Sequence, residues 1–281
     1  MLSILFGLGA ALGWGAGDFT GGIASRKVGA HRAVFYSEIA GVFLLLAMQA
    51  VVREAFPTFQ NWLFAMFAGA VGTLGLMLLY HSMTLGLMSV SAPVSGLLAA
   101  LLPVIVGMAR EGLPQTPTVI GFIFALAAVW LISQSEAGFR DILAHLSDLK
   151  LPMLAGLTFG LYFILMHEST SDGGRVLPMI ASRAGGSIMI ASYMLFSRAS
   201  LRVSDKSAWF VLLLNGVFDV GGNVFFVLAG QAGRLDVASV LSSLFSGVTV
   251  LLAWIFLRER LSRGQWLGVA FALAAIVLMT L

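Results

Sequence analysis

Long apolar runs separated by short polar links dominate the hydrophobic pattern of this chain. A helix needs roughly 20 apolar residues to cross the hydrocarbon core of a bilayer. Ten runs approach or reach that length, so the pattern predicts ten membrane-spanning helices. Their predicted bounds are 3–23, 32–52, 62–83, 90–109, 117–134, 151–168, 178–198, 207–229, 236–257 and 263–281.

The second half of the chain repeats the first. The segment GFIFALAAVWLI (121–132) matches GVAFALAAIVLM (268–279) at an offset of 147 residues. Further upstream, at an offset of 145 residues, Trp14 aligns with Phe159. Several glycines also align, and together with the shared FALAA they make chance similarity of apolar helices a poor explanation. We therefore interpret the chain as a duplicated five-span unit.

An odd number of spans in each repeat has a topological consequence. Five spans end on the opposite side of the membrane, so the second copy must insert upside down. Inverted-topology repeats are typical of secondary transporters, whose substrate site lies near the midplane between the halves. The sequence therefore predicts an all-α membrane protein with two inverted five-helix repeats, 1–134 and 151–281. A short amphipathic linker at 135–150 is expected to lie in the membrane interface.

The amino-acid composition agrees with a membrane protein and excludes several other classes. Hydrophobic residues make up 59% of the chain and charged residues 10%, whereas soluble domains carry about 25% charged residues. The charges lie mainly between the apolar runs, so we interpret them as topology signals and not as a nucleic-acid-binding surface. Cysteine is absent, which excludes disulfides. No metal-binding or phosphate-binding motif is present, so we predict no metal, cofactor or catalytic residue.

Three sets of segments carry a resemblance to a known family. They are LGWGAGDFTGGIASRK (12–27), YHSMTLGLMSVSAPVSGLLAALLPVIVG (80–107), and the pair AREGL (109–113) and LRERL (257–261). In this order, and with the internal duplication, the chain resembles the drug/metabolite transporter superfamily, in particular its ten-span EamA-type members. The resemblance implies alternating-access transport of small metabolites across the inner (cell) membrane, often coupled to protons. It also implies cytoplasmic termini.

Two features depart from that family pattern. Pro93 and Pro103, which we expect to kink span four, are replaced by Val240 and Val250 in span nine. Charge counting also disagrees with the implied orientation. Most Lys and Arg residues lie on the side opposite the termini, and positive loops favour the cytoplasm. Both termini are therefore expected on one side, cytoplasmic by resemblance but not by charge count.

Ionisable residues inside the spans are candidate functional residues, because placing one at the bilayer centre costs at least about 2.5 kcal/mol. Asp18 lies on a helix whose glycines recur at four-residue steps, a spacing typical of a close-packing face. With the glycines packed on another helix, Trp14 and Asp18 would face a lumen, where Asp18 would bind substrate or carry a proton. Alternatively, Asp18 hydrates at the interface or pairs with Arg26.

Span eight contains NGVFDVGGNVFF (215–226), in which Asn215, Asp219 and Asn223 are spaced four residues apart and share one helical face. We interpret this face as part of the permeation path. Asp219 would carry protons or pair with a substrate, and the two amides would orient the substrate. In the alternative interpretation, the amides link neighbouring helices and have no transport role.

Glu38 on span two aligns with Arg183 on span seven, at the offset of 145 residues. Because the repeats are inverted, aligned residues can meet near the pseudo-twofold axis. We therefore hypothesise that this pair forms a gate that breaks and reforms. In the alternative, each side chain extends separately to water.

Four further polar residues are weaker candidates. Tyr80 and Tyr162 would line the cavity, and His81 would take part in proton coupling because histidine titrates near neutral pH. Ser242 belongs to a hydroxyl stripe on span nine that would line the path. The alternatives are an interfacial position for His81 and helix packing for the serines.

The leading hypothesis is a secondary active transporter, a proton-linked exporter of a small organic metabolite such as an amino acid. Its cavity would be lined by spans one, three, four, six, eight and nine. A second hypothesis is an intramembrane enzyme acting on a lipid-linked substrate, with Asp18 and either Asp219 or His81 as an acid–base pair. A third is a scaffold subunit without transport activity. The expected partners are a small-molecule substrate and the bilayer, without nucleic acid, and both a monomer and a homodimer fit the sequence.

Overall fold

The computed structural model describes residues 1–85, 88–133, 149–257 and 262–280, and these residues form eleven helices. The helices are α1 (Leu2–Val28), α2 (Ala30–Val52), α3 (Phe59–Thr84), α4 (Met88–Glu111), α5 (Thr116–Ser133), α6 (Lys150–Ser169), α7 (Val176–Phe196), α8 (Ala208–Ala232), α9 (Leu235–Ser243), α10 (Phe245–Leu257) and α11 (Arg263–Thr280). The all-helical prediction is confirmed for the described residues.

The eleven helices correspond to the ten predicted apolar runs, because α9 and α10 together occupy the ninth. Within the described residues, eight runs are long and apolar enough to cross a membrane. The fifth and tenth runs contain shorter apolar helices, Thr116–Leu131 and Arg263–Met279. Helix ends lie within a few residues of the predicted bounds. Most of the predicted linker at 135–150 lies outside the described residues.

The helix break lies in the half of the chain that lacks the two prolines. Helix α4 runs without interruption through Pro103, whereas the matching ninth span is interrupted at Leu244. The hydroxyls of Ser243 and Ser246 bond to carbonyls three residues earlier on their own chain. Such bonds compete with the helical ladder. The sequence placed the distortion in span four, but the break is in span nine.

Three glycines of the α1 stripe lie against α8, as their spacing predicts, whereas the fourth, Gly21, faces the ring of Tyr80 on α3. A Cβ on Gly13 would lie 2.6 Å from the backbone nitrogen of Gly222, and one on Gly9 would lie 2.8 Å from the ring of Phe225. Gly17 faces the backbone of Asp219. At Gly13 a side chain would overlap the backbone of α8, so glycine is needed for this close approach. This contact sets the position of α1 along the axis of α8.

Helices α3 and α6 pack together in the same manner as α8 and α1. Gly75 of α3 faces the ring of Phe159 on α6, just as Gly222 of α8 faces the ring of Trp14 on α1. Gly75 aligns with Gly222 in the internal repeat, and Phe159 aligns with Trp14. These two close contacts between the halves are therefore an equivalent pair. Helices α2 and α7 pack against each other beside these pairs.

Candidate functional site

A cavity lies between the two halves of the bundle, and its empty space amounts to about 550 Å³ when the part open to solvent is included. Its aromatic wall consists of Trp14, Phe159, Tyr162, Phe163 and Phe245. Its charged residues are Asp18, Glu38, Arg183 and Asp219, and its uncharged polar residues are Thr73, Ser182 and Asn223. Gly69, Gly72 and Leu76 of α3 complete the described lining.

The lining comes from α1, α2, α3, α6, α7, α8 and α10. Span four is predicted from the sequence to contribute, but no described residue of α4 does. The reason is that α6 covers α4. A Cβ on Gly156 of α6 would lie 2.6 Å from the carbonyl oxygen of Ser95 on α4. The sequence analysis also missed α2 and α7 as wall helices, although their Glu38 and Arg183 were predicted to meet.

Arg183 of α7 lies at the centre of an ionic network in the cavity wall. Its Nη1 is 3.2 Å from Oε2 of Glu38 on α2, an ion pair by distance without the alignment of a hydrogen bond. Its Nη2 donates to Oδ2 of Asp219 on α8. Arg183 is 5% exposed, so the two carboxylates offset the cost of burying its charge. Glu38 and Arg183 contact each other and do not extend separately to water.

Thr73 and Ser182 are polar cavity residues that the sequence analysis did not single out. Thr73 Oγ1 donates to Glu38 Oε1 at 2.8 Å, which holds the carboxylate that faces Arg183. Hydroxyl residues are common packing residues in membrane helices, so residue type alone gives no signal. The sequence contains one indication that Thr73 has a specific role, because the aligned residue in the second copy, Val220, is apolar.

Asn223 connects the ionic network to the aromatic wall. Its Oδ1 accepts hydrogen bonds from Trp14 Nε1 at 3.2 Å and from the Tyr162 hydroxyl at 2.7 Å. Its Nδ2 lies 3.5 Å from Oδ2 of Asp219. Trp14 also stacks on Phe163, with ring centroids 5.2 Å apart. Polar groups from α1, α6 and α8 therefore converge on one amide.

Asp18 differs from the other charged residues of the cavity. It lines the cavity and is 6% exposed. Within the described part of the chain it has neither a hydrogen-bond partner nor an ion-pair partner. The alternatives from the sequence do not apply, because Asp18 is buried and Arg26 is exposed near the end of α1. Its charged neighbour is another acid, Asp219.

Two of the predicted cavity residues lie behind the cavity wall. Asn215 donates to the carbonyl oxygen of Gly17 at 2.7 Å and to the hydroxyl oxygen of Tyr80 at 3.0 Å. Both side chains are fully buried or nearly so, and neither contributes to the cavity lining. Asn215 and Tyr80, which the sequence predicts as substrate contacts, therefore lie outside the described lining of the cavity. They link α8 to α1 and α3, as in the alternative interpretation of the amides.

Two other predicted residues are also away from the cavity. Ser242 is fully buried in α9, which packs against α1 and α4. His81 is exposed in the last turn of α3. His81 is not among the described residues that line the cavity, and its role in proton coupling stays a prediction. Asp18, Asp219, Asn223, Trp14 and Tyr162 are brought together as predicted.

The fold and the cavity together define a class of protein. They describe an all-helical membrane protein with an ionic cavity between two similarly packed halves. The model of the EamA-like transporter family matches residues 1–134 and 149–281. The chain therefore belongs to the EamA-like transporter family and is an integral membrane protein. The resemblance to the drug/metabolite transporter superfamily is confirmed, and the family consists of transporters, not enzymes.

Comparison with individual proteins adds information on the fold alone. No curated protein matches this chain. One solved crystal structure, described only as that of a protein, has a TM-score of 0.76 and 16% sequence identity. The match covers 99% of this chain and 96% of that chain. The arrangement of helices therefore occurs as a complete fold in another protein.

Proposed function

We propose that this protein is a secondary active transporter, a proton-linked exporter of a small organic metabolite such as an amino acid, that works by alternating access. One observation carries the proposal. Arg183 binds Glu38 of the first half and Asp219 of the second half in the wall of the cavity between them. Alternating access needs a central site and contacts between the halves that break and reform. The Glu38–Arg183 pair is the gate in this proposal.

The proposal includes two inverted repeats with a pseudo-twofold axis in the membrane plane. Reciprocal contacts support it. Gly41 of α2 faces Arg183, and the aligned residue Gly186 of α7 faces Glu38. A twofold arrangement repeats every contact between the halves in this way. With five spans in each copy, the two copies insert in opposite directions, as inverted repeats in transporters do.

Substrate binding is assigned to the residues that converge on the cavity. Trp14 and Tyr162 form an apolar wall whose polar edges are held by Asn223. Asn223 and Asp219 present polar atoms beside that wall. A mostly apolar pocket with a few fixed polar groups is typical of small-molecule sites. Asn215 and Tyr80 support the site from behind by joining α1, α3 and α8.

Proton coupling is assigned to Asp18 and Asp219. Asp219 faces Arg183 and Asn223, while Asp18 has Asp219 and the buried Tyr80 as its titratable neighbours. A proton on Asp219 weakens its pairing with Arg183 and leaves the guanidinium to Glu38 alone. Protonation is thereby linked to the contact between the halves, which is the element that must change in alternating access.

Transport in proteoliposomes tests this function. The purified protein is reconstituted with a pH-sensitive dye inside and exposed to amino acids, sugars, nucleosides and amines, and labelled solutes are followed by counterflow. We expect at least one solute to exchange and to move protons. Asp219→Asn should stop the proton movement in a folded protein, whereas Glu168→Gln, in a surface ion pair, should not. If no class of solute exchanges, or if Asp219→Asn retains the wild-type pH dependence, the proposal is wrong.

A further inference from the structure

We infer that the cavity recognises a cationic amine on its substrate and that the carboxylate of Asp18 is the group that pairs with it. This inference rests on the proposed function, because it names the chemical class of solute that the same cavity takes. Four observations carry it: the charge balance of the wall, the missing partner of Asp18, the residue at the aligned position, and the aromatic neighbours.

The charge balance of the described lining favours a positive ligand. Three carboxyl groups line the cavity, those of Asp18, Glu38 and Asp219, against a single guanidinium. Arg183 is already bound by two of those carboxyl groups. Like charges repel strongly where the dielectric constant is low. An anionic solute would add to the excess of acid, whereas a cationic solute reduces it.

Asp18 is the exception among the buried acids of the described chain. Glu38 and Asp219 contact Arg183, and Asp236 accepts from Arg234 at 2.8 Å. Asp18 is equally buried and faces the cavity without such a partner among the described residues. A buried carboxylate is costly unless its charge is paired. The pairing must therefore come from a proton or from a ligand in the cavity.

The internal repeat explains why the protein does not supply this partner. The residue aligned with Glu38 is Arg183, so the acid in the first half meets a base from the second half. The residue aligned with Asp18 is Phe163. After the duplication, the second copy therefore has a cation at the position aligned with Glu38 but an aromatic residue at the position aligned with Asp18. The second copy therefore offers no cation at the position aligned with Asp18, and a cationic solute in the cavity can take that part.

The aromatic residues near Asp18 suit an ammonium group attached to an apolar body. Trp14 lies one helical turn before Asp18 and stacks on Phe163 with an interplanar angle of 11°. Tyr162 meets the indole edge-on at a centroid distance of 6.4 Å. A cation within about 6 Å of such a ring face is attracted to it. Phe163 covers one face of the indole, but Trp14, Tyr162 and Phe163 all line the cavity with Asp18, so an amine paired with Asp18 would lie among aromatic rings.

Three probes with one skeleton test the charge preference. 2-Phenylethylamine is positive at neutral pH, 2-phenylethanol is neutral and phenylacetate is negative. Their binding to the purified protein in nanodiscs is measured by calorimetry, with tryptophan fluorescence as a second readout. We expect the amine to bind tightest and phenylacetate weakest. Asp18→Asn should weaken amine binding by about tenfold or more, as expected for losing a charged hydrogen-bond partner, and should leave 2-phenylethanol unchanged.

A stability measurement separates a binding role from a structural one. Asp18→Asn removes an unpaired buried charge, so its midpoint of thermal unfolding should equal or exceed that of the wild type. Asp18→Glu should retain the order of the three probes, and Asp236→Asn, outside the cavity, should leave amine binding unaltered. Equal binding of phenylacetate and amine would overturn the inference. So would full amine binding by Asp18→Asn, or a loss of stability together with loss of 2-phenylethanol binding.

Failure of this inference is distinguishable from failure of the proposed function. Counterflow of neutral or anionic solutes, without amine preference, would overturn the inference and leave the transporter. Amine binding that depends on Asp18, without counterflow of any solute, would support the inference and overturn the proposed transport function. If Asp18→Asn does not fold, the order of affinities for the three probes is compared in the wild type and in Asp18→Glu. A cation site requires both proteins to bind the amine most tightly, and any other order overturns the inference.

Discussion

Glu38 and Arg183 occupy aligned positions in the two halves of the chain and contact each other, with Oε2 and Nη1 3.2 Å apart. In a twofold arrangement, two equivalent residues touch only near the axis. Two identical acids at this point would repel each other. In the proposed twofold arrangement, the change to an acid and a base therefore turns a repulsive position near the axis into a contact between the halves.

Arg183 is predicted to be the most sensitive charged residue of the cavity. Arg183→Gln leaves Glu38 and Asp219 together without a cation, and breaking a buried ion pair costs about 3–5 kcal/mol. Glu38→Gln should cost less, because Arg183 retains Asp219. Thermal unfolding in nanodiscs gives the order, and the wild type should be the most stable and Arg183→Gln the least.

Arg110 offers a matched control for that prediction. It pairs with Glu168 at the surface, and its side chain is 57% exposed. Exposed pairs contribute about 0–1 kcal/mol, so Arg110→Gln should unfold close to the wild-type temperature. If Arg183→Gln also unfolds close to the wild-type temperature, as Arg110→Gln should, the buried network does not stabilise the fold.

Gly221 and Gly222 are adjacent on α8 and test how closely α1 packs there. A Cβ on Gly222 would overlap the indole of Trp14, whereas one on Gly221 meets no described atom within 4 Å. We expect Gly222→Ala to cost about 1–3 kcal/mol by overpacking. Gly221→Ala should be neutral or slightly stabilising, because it reduces the freedom of the unfolded chain. Unfolding midpoints and indole fluorescence check both, and the reverse order of stability would disprove the contact.

Glu54 is predicted to stabilise the bundle by capping a helix of the other half. Its Oε2 accepts from the backbone N–H groups of Arg175, Val176 and Leu177 at 3.1, 2.8 and 3.1 Å. These groups at the start of α7 have no partner within the helix. Glu54→Ala should cost about 1 kcal/mol, as loss of a helix cap does. Glu54→Gln keeps an acceptor oxygen and should cost less. A wild-type unfolding midpoint for Glu54→Ala would contradict this.

Much of the helical frame follows directly from the sequence, because the length of an apolar run alone decides whether a helix spans the bilayer. The packing face of α1 was also predictable, since glycines at four-residue steps have few other uses in a membrane helix. The contact of Glu38 with Arg183 followed from the repeat. These predictions depend on local pattern or on symmetry and need no knowledge of neighbouring side chains.

The positions of individual polar residues depend on their neighbours and could not be predicted in the same way. Asn215 and Asn223 share one face of α8, but they lie about 12 Å apart along the axis. At one level the face meets the Gly17 carbonyl, and at the other it meets Trp14 and Tyr162. Helical periodicity shows which face of a helix a residue lies on, but it does not show which residues of other helices lie against that face. For the same reason Asn223 lines the cavity and Asn215 does not.

A single cysteine in the cavity allows access to be measured without background, because the natural chain has no cysteine. Ser182 lines the cavity, so Ser182→Cys places one thiol there. Ser197→Cys, at the exposed end of α7, reports a single membrane face and serves as the orientation control. Both variants are reconstituted in proteoliposomes of uniform orientation.

The most direct measurement is the labelling of Ser182→Cys by a membrane-impermeant maleimide added to either face. The alternating-access account predicts labelling from both faces, with the two rates changing in opposite directions when the pH gradient is reversed. Ser197→Cys should be labelled from one face at a constant rate. Labelling of Ser182→Cys from one face only, under every gradient, would contradict the account.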